Sequence, residues 1–143
     1  MPEIVRYTED AHRVALQNIY LQARKATYTW LDTSDYRLGD FERDTDGESI
    51  LVVQDQQVAG FSSVWLPERF LHHLYLSPDR IGEGYGHLLL RETMASLSGP
   101  MRLKCLAKNL RALSFYKTHG WQIIGEGHGD DGLYYEMEGI GSV

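Results

Sequence analysis

The chain has 143 residues, 43% hydrophobic and 24% charged, the composition of one globular domain spanning 1–143. A net charge of −6 argues against a nucleic-acid partner, whose phosphates need clustered Lys and Arg, and no apolar run approaches the ~20 residues of a membrane span. MPEIVRYTED lacks an apolar signal core and the single cysteine, Cys105, excludes an internal disulfide, which fits a cytoplasmic protein in a reducing compartment with no membrane partner.

EIVRY reads as a first strand. Thr8 or Asp10 caps a helix over residues 11–26, where Leu16, Ile19, Tyr20 and Ala23 share one face. Thr33 or Ser34 caps a shorter helix running to about Arg43. SILVVQDQQVAGFSSVWL supplies two strands around a turn near Asp55–Gln57, and FLHHLYL a further strand ended by Ser77 and Pro78. Tyr85 to Leu97 predicts a helix stopped by Gly99 and Pro100, MRLKCLA a strand, and Leu110 to His119 a helix with Gly120 as its C-terminal glycine. WQIIGEG and LYYEMEG close the chain as a hairpin around HGDDG. Hairpins and a crossover together imply an α/β (α+β) domain with a mixed sheet of about six or seven strands and about four helices.

Gly82, Gly84 and Gly86 stand at every second position where a strand gives way to a helix. Either the turn merely needs positive φ, or the backbone there must touch a ligand. A glycine-rich turn opening a helix presents free N–H groups and the positive end of the helix dipole, which suits a phosphate or pyrophosphate. A Walker loop would need a following Lys and Ser/Thr. A dinucleotide fingerprint would need G-x-G-x-x-G, and the spacing here is G-x-G-x-G.

LYLSPDRIGEGYGHLLL resembles the acyl-coenzyme A loop of the GNAT superfamily of N-acetyltransferases, L-x-V-x-P-x-x-R-G-x-G-x-G-x-x-L. LKCLAKNLRALSFYKTHGWQIIGE is similar to that family's second segment, L-x-V-x-x-x-N-x-x-A-x-x-F-Y-x-x-x-G-F. The V-A-G-F step at Val58–Phe61 and the closing LYYEME also fit the family's order, so the resemblance covers essentially the whole chain. It implies a single-domain GNAT-like fold that takes acetyl-CoA as cosubstrate, held by Leu74, Tyr75 and Leu76, by the loop of Gly82, Glu83, Gly84, Tyr85, Gly86 and His87, and by Asn109 and Tyr116. Where members usually carry Arg or Gln, two residues before the G-x-G pair, this chain has Gly82, with Arg80 just upstream.

The resemblance also assigns chemistry. Tyr116 is the expected general acid for the departing thiolate; Phe115 beside it reads as core. A base must free the acceptor amine of a proton, and the strand glutamate that many members use maps to His72; histidine is a competent base near neutral pH. His73 and water are the alternatives. By period-2 alternation His72 faces with Leu74 and Leu76, and His73 with Tyr75. Neighbours on opposite faces without an acidic or thiolate companion argue against a metal site, and none is expected. Lys104 occupies the position of a glutamate that serves as base in the branch acetylating ribosomal protein N-termini, which weighs against a protein acceptor. Cys105 reads as core. Trp30, Tyr36 and Trp65 are candidates for an aromatic wall around the acceptor, and Asp32, Asp35 or Glu48 for contact with its cationic amine. The expected partner is a small-molecule or amino-acid-like amine, with a homodimer as a further possibility. The rival expectation is a catalytically silent acyl-CoA-binding sensor or regulatory module.

Overall fold

The apolar stripe of the N-terminal segment becomes helix α1, Glu9–Thr27, with Leu16, Ile19, Tyr20 and Ala23 all buried in the computed structural model, which describes residues 1–140. Its first turn is closed from within, because the Thr8 side chain makes no cap bond and His12 Nδ1 accepts the Thr8 N–H at 2.9 Å. The short helix expected from Thr33 or Ser34 begins only at Asp40, as α2, Asp40–Thr45. The reason is a buried ion pair: Asp40 meets Arg24 of α1 at 3.2 Å and also accepts the Arg37 N–H at 2.9 Å, holding a turn where a helix would otherwise run.

The strands are β1 (Glu3–Arg6), β2 (Ser49–Asp55), β3 (Gln57–Trp65), β4 (Phe70–Leu76), β5 (Pro100–Leu106), β6 (Gln122–Gly129) and β7 (Gly132–Ile140). Helix α3, Tyr85–Ala95, follows β4, and α4, Leu110–Thr118, follows β5. The strand order is β1-β2-β3-β4-β5-β7-β6. Every neighbouring pair is antiparallel except β4 and β5, which run parallel because α3 carries the chain over the sheet between them. α3 ends at Ala95 rather than Leu97, where Ser96 Oγ donates to the Thr93 carbonyl at 2.6 Å.

One face of the sheet packs Tyr20 and Phe41 of α1 and α2 on Val52 and Phe61. The other packs Leu90 and Met94 of α3 and Leu113 of α4 on Leu71, Met101, Leu103 and Met137, with Trp121 fully inside. Two irregularities in β4 position everything that follows. β4 and β5 share a single bridge, Phe70 with Arg102, and then part. On its other edge, β4 is paired with β3 through Ser63–His73 and then Val64–Leu71, so His72 is an extra residue, a β-bulge. Among the described residues, no helix is long and apolar enough to cross a membrane.

Candidate active site

Where β4 leaves β5, a cleft of about 440 Å³ opens between Leu74, Tyr75 and Leu76 of β4, Gly86 of α3 and the α4 residues Ala112, Phe115 and Tyr116, with Ala23 and Ala26 of α1 at one side. Its walls are mostly apolar. The structure thus brings together six of the residues expected to hold the coenzyme: Leu74, Tyr75, Leu76, Gly86, Asn109 and Tyr116. The Tyr75 hydroxyl is bonded to that of Tyr28 at 2.9 Å, which ties β4 to the end of α1.

The glycine turn sits beside this cleft. Gly82 and Gly84 have φ of +91° and +85°, with open space where a Cβ would project, so the turn conformation itself requires them. The first helical bond of α3 runs from the Leu88 N–H to the Gly84 carbonyl, so the N–H groups of Tyr85, Gly86 and His87 have no partner within the helix. The remaining loop side chains turn elsewhere. Tyr85 is buried against Leu89, its hydroxyl donating to Asp55 at 2.9 Å and accepting from Arg80 at 2.8 Å. Glu83 pairs with Arg80 at 3.2 Å, and His87 Nδ1 meets His119 Nε2 at 2.6 Å. Gly82, Glu83, Tyr85 and His87 do not themselves line the cleft.

Tyr116 is buried, yet its hydroxyl makes no hydrogen bond among the described residues while the residue lines the cleft. Burial raises its pKa, with Cys105 and Tyr28 adding to the effect, so the phenol keeps its proton. Asn109 is not inside α4 but is its N-cap, its Oδ1 accepting the Ala112 N–H at 3.3 Å. Cys105 lies in the core between the sheet and α4, and burial pushes its thiol up to about 11.

The bulge rearranges the histidines. The expectation that His72 faces with Leu74, opposite His73, is overturned: Leu71 and Leu74 pack toward α3 and α4, while the His72 and His73 rings stack on each other, 4.3 Å apart. An extra residue in the strand breaks the period of two, so both imidazoles lie on the α1–α2 side. Their acidic companion, absent from the sequence-based expectation, is Glu48, just before β2; one ligand-type atom from each of Glu48, His72 and His73 lies within 4.8 Å of the others. Glu48 and His72 are engaged with each other, and His73 with a backbone carbonyl. Glu48 Oε2 lies 2.6 Å from His72 Nδ1, and Ser63 Oγ donates to Glu48 Oε1. His73 Nε2 donates to the Asp44 carbonyl at 3.2 Å, and burial among Tyr20, Phe61 and Tyr75, with His72 adding, pushes its pKa down to about 4. His73 is a neutral packing residue, whereas His72 stays half exposed.

The aromatic wall does not assemble. Tyr36 stacks on the Arg24 guanidinium, Trp30 lies edge-on to Tyr28, and Trp65 sits by Gly47 at the far end of β3. Glu48 is committed to His72 and Ser63 rather than free to meet an acceptor. A second concavity of about 390 Å³, lined by Glu68, Phe70, Arg102, Leu103, Lys104 and Glu136, lies along β4 and β5 next to His72, whose ring is 5.8 Å from that of Phe70. Arg102 and Glu136 escaped sequence reasoning. The available signal was the alternation of MRLKCLA, which turns Arg102 and Lys104 away from the buried Met101, Leu103 and Cys105.

Known proteins agree with this architecture. The profile of the acetyltransferase (GNAT) family matches residues 14–121, and the chain belongs to that family. The apo form of YjaB from Escherichia coli is similar at 21% identity with a TM-score of 0.80, covering 99% of both chains. PaiA N-acetyltransferase from Thermoplasma acidophilum, solved with coenzyme A, gives 19% identity and a TM-score of 0.76 over 98% of this chain and 99% of its own. A ribosomal-protein-alanine N-acetyltransferase from Brucella melitensis gives 22% and 0.71, over 96% of this chain and 99% of its own. No curated protein shows a significant sequence match.

Proposed function

We propose that this GNAT acetyltransferase moves the acetyl group of acetyl-CoA to the primary amine of a small-molecule or amino-acid-like acceptor, with His72 as general base and Tyr116 as general acid. The observation that carries the proposal is the apolar cleft at the parting of β4 and β5, which has helix N–H groups without an intrahelical partner at one end and, inside, a phenol unpartnered among the described residues. The N–H groups of Tyr85, Gly86 and His87 suit a pyrophosphate, and Leu74, Leu76 and Phe115 suit the apolar arm that follows. The Thermoplasma relative, similar along nearly its whole length, was solved with coenzyme A, which supports the same cosubstrate here.

An ammonium has no lone pair with which to attack a thioester. His72 takes one proton from the acceptor ammonium before the C–N bond forms, which frees the lone pair, and the second proton that the nitrogen sheds after bonding passes to solvent. When the C–S bond breaks, the electron pair leaves on sulfur and Tyr116 supplies the proton. Burial raises both sides of that exchange, because a thiolate expelled into the same apolar cleft is itself poorly solvated and binds a proton more tightly. The concavity beside Phe70 offers Lys104 and Arg102 as well as Glu68 and Glu136, a mixed lining that suits an amine carrying further polar groups. Lys104 in place of a glutamate makes a protein N-terminus the less favoured acceptor.

The test is thiol release from acetyl-CoA with a panel of amino acids, polyamines, aminoglycosides and short peptides, alongside calorimetry with coenzyme A. Coenzyme binding together with release for one amine class is the expected result. Absence of coenzyme binding overturns the proposal; binding with silence across a wide panel favours an acyl-CoA sensor.

A further inference from the structure

The carboxylate facing the bulge has a task of its own. An ionised carboxylate only accepts hydrogen bonds, so the 2.6 Å contact between Glu48 Oε2 and His72 Nδ1 places the proton on Nδ1 and leaves the lone pair on Nε2. The Glu48 side chain is 5% exposed and anchored by Ser63 Oγ, which is itself fully buried, while His72 is 49% exposed. A fixed carboxylate thus stands behind a half-exposed imidazole. From the other side the His73 ring stacks on His72, and its Nε2 is held by the Asp44 carbonyl. On the basis of the acetyltransferase reading above, we propose that Glu48 is the positioning residue of the base, in a Ser63–Glu48–His72 relay that fixes the tautomer and orientation of His72.

The consequence is chemical. His72 Nε2 gains one proton from the acceptor amine, and the imidazolium so formed is stabilised by Glu48, which remains ionised and takes no proton itself. The bulge is what makes the relay possible: with regular alternation His72 would point to the opposite face, away from Glu48. His72 is met by Glu48 ahead of β2 and by His73 and Phe70 on its own strand.

Two measurements test the proposal. Nitrogen-15 NMR of the unliganded protein should find His72 as the Nδ1–H tautomer, and Glu48→Ala should release that preference; this readout needs no turnover, so it stands even if no acceptor is ever found. A wild-type Nε2–H tautomer would overturn the relay. In the thiol-release assay, Glu48→Gln should lower kcat about tenfold and Glu48→Ala about 100-fold, with KM for acetyl-CoA unchanged. The double variant Glu48→Ala/His72→Ala should match His72→Ala within about twofold, because Glu48 acts only through His72. Additive losses would overturn the proposal. So would activity that a chelator abolishes and zinc restores, which would reassign Glu48, His72 and His73 to a metal centre. Should Glu48→Ala fail to fold, Ser63→Ala removes the anchor alone and should loosen the tautomer with a smaller loss of kcat.

Discussion

The two faces of β4 do different work with different materials. Toward α3 and α4, Leu74 and Leu76 line an apolar cleft whose polar contacts come from backbone N–H groups and one phenol. Toward α1 and α2, His72 and His73 stand in a polar cluster with Glu48, Ser63 and Asp44, ordered by side-chain hydrogen bonds. A face built from backbone tolerates exchange of side chains that point elsewhere, whereas a face built from a hydrogen-bonded relay fails when one member is lost. The difference is sharpest at Tyr116, the one side chain on the apolar face to which chemistry is assigned. Tyr116→Phe should lower kcat by about 10²–10⁴-fold with little change in coenzyme affinity. Thermal stability should be nearly unaltered, because the lost hydroxyl has no partner among the described residues. An unchanged kcat would leave the cleft a binding surface only.

The polar face announces itself through pH. His73 has its pKa pushed down to about 4 from an ordinary 6.5, so between these values the unfolded chain binds a proton that the folded chain refuses. Stability therefore falls as the pH drops from about 6.5 toward about 4, by up to on the order of 3 kcal/mol from this group. Urea unfolding across that window should show the slope, and His73→Phe should flatten it. A slope that survives the substitution would place the acid sensitivity elsewhere. On the apolar face, Gly86→Val should act through shape alone. A Cβ there would meet the Phe115 ring at 3.5 Å and Leu76 at 3.6 Å, ordinary contacts, so the added methyl groups crowd the cleft rather than the core. Affinity for coenzyme A should drop about tenfold, or about 1.4 kcal/mol.

The apolar face was also the legible one. A glycine at positive φ, a helix N-terminus and an apolar i, i+4 stripe are local properties, written in consecutive residues; hence β4, α3 and the turn between them read correctly, and Leu74 to Leu76 line the cleft beside that turn. The polar face was not legible, because its geometry depends on one inserted residue in β4. A bulge is decided by what β3 offers across the ladder, and nothing in FLHHLYL marks His72 as unpaired. Once alternation was assumed, the histidines fell on opposite faces and Glu48, more than twenty positions away, had no reason to join them. The late start of α2 has the same origin, since the Arg24–Asp40 pair that sets it joins distant parts of the chain.

Asn109 belongs to both descriptions, and separating them is the finest test. Its side chain caps α4 through the Ala112 N–H, and the residue also lines the cleft. As a cap, Asn109→Ala should lower stability by about 1 kcal/mol, while Asn109→Ser, which can still accept that N–H, should restore most of it. As a coenzyme contact it behaves differently, because serine is too short to reach a ligand the amide would touch. Coenzyme affinity should then fall by a similar small factor in both variants, even though only one is destabilised. If affinity follows stability instead, recovering in Asn109→Ser, the residue serves the cleft only by fixing where α4 begins and so where Tyr116, two turns further on, presents its hydroxyl.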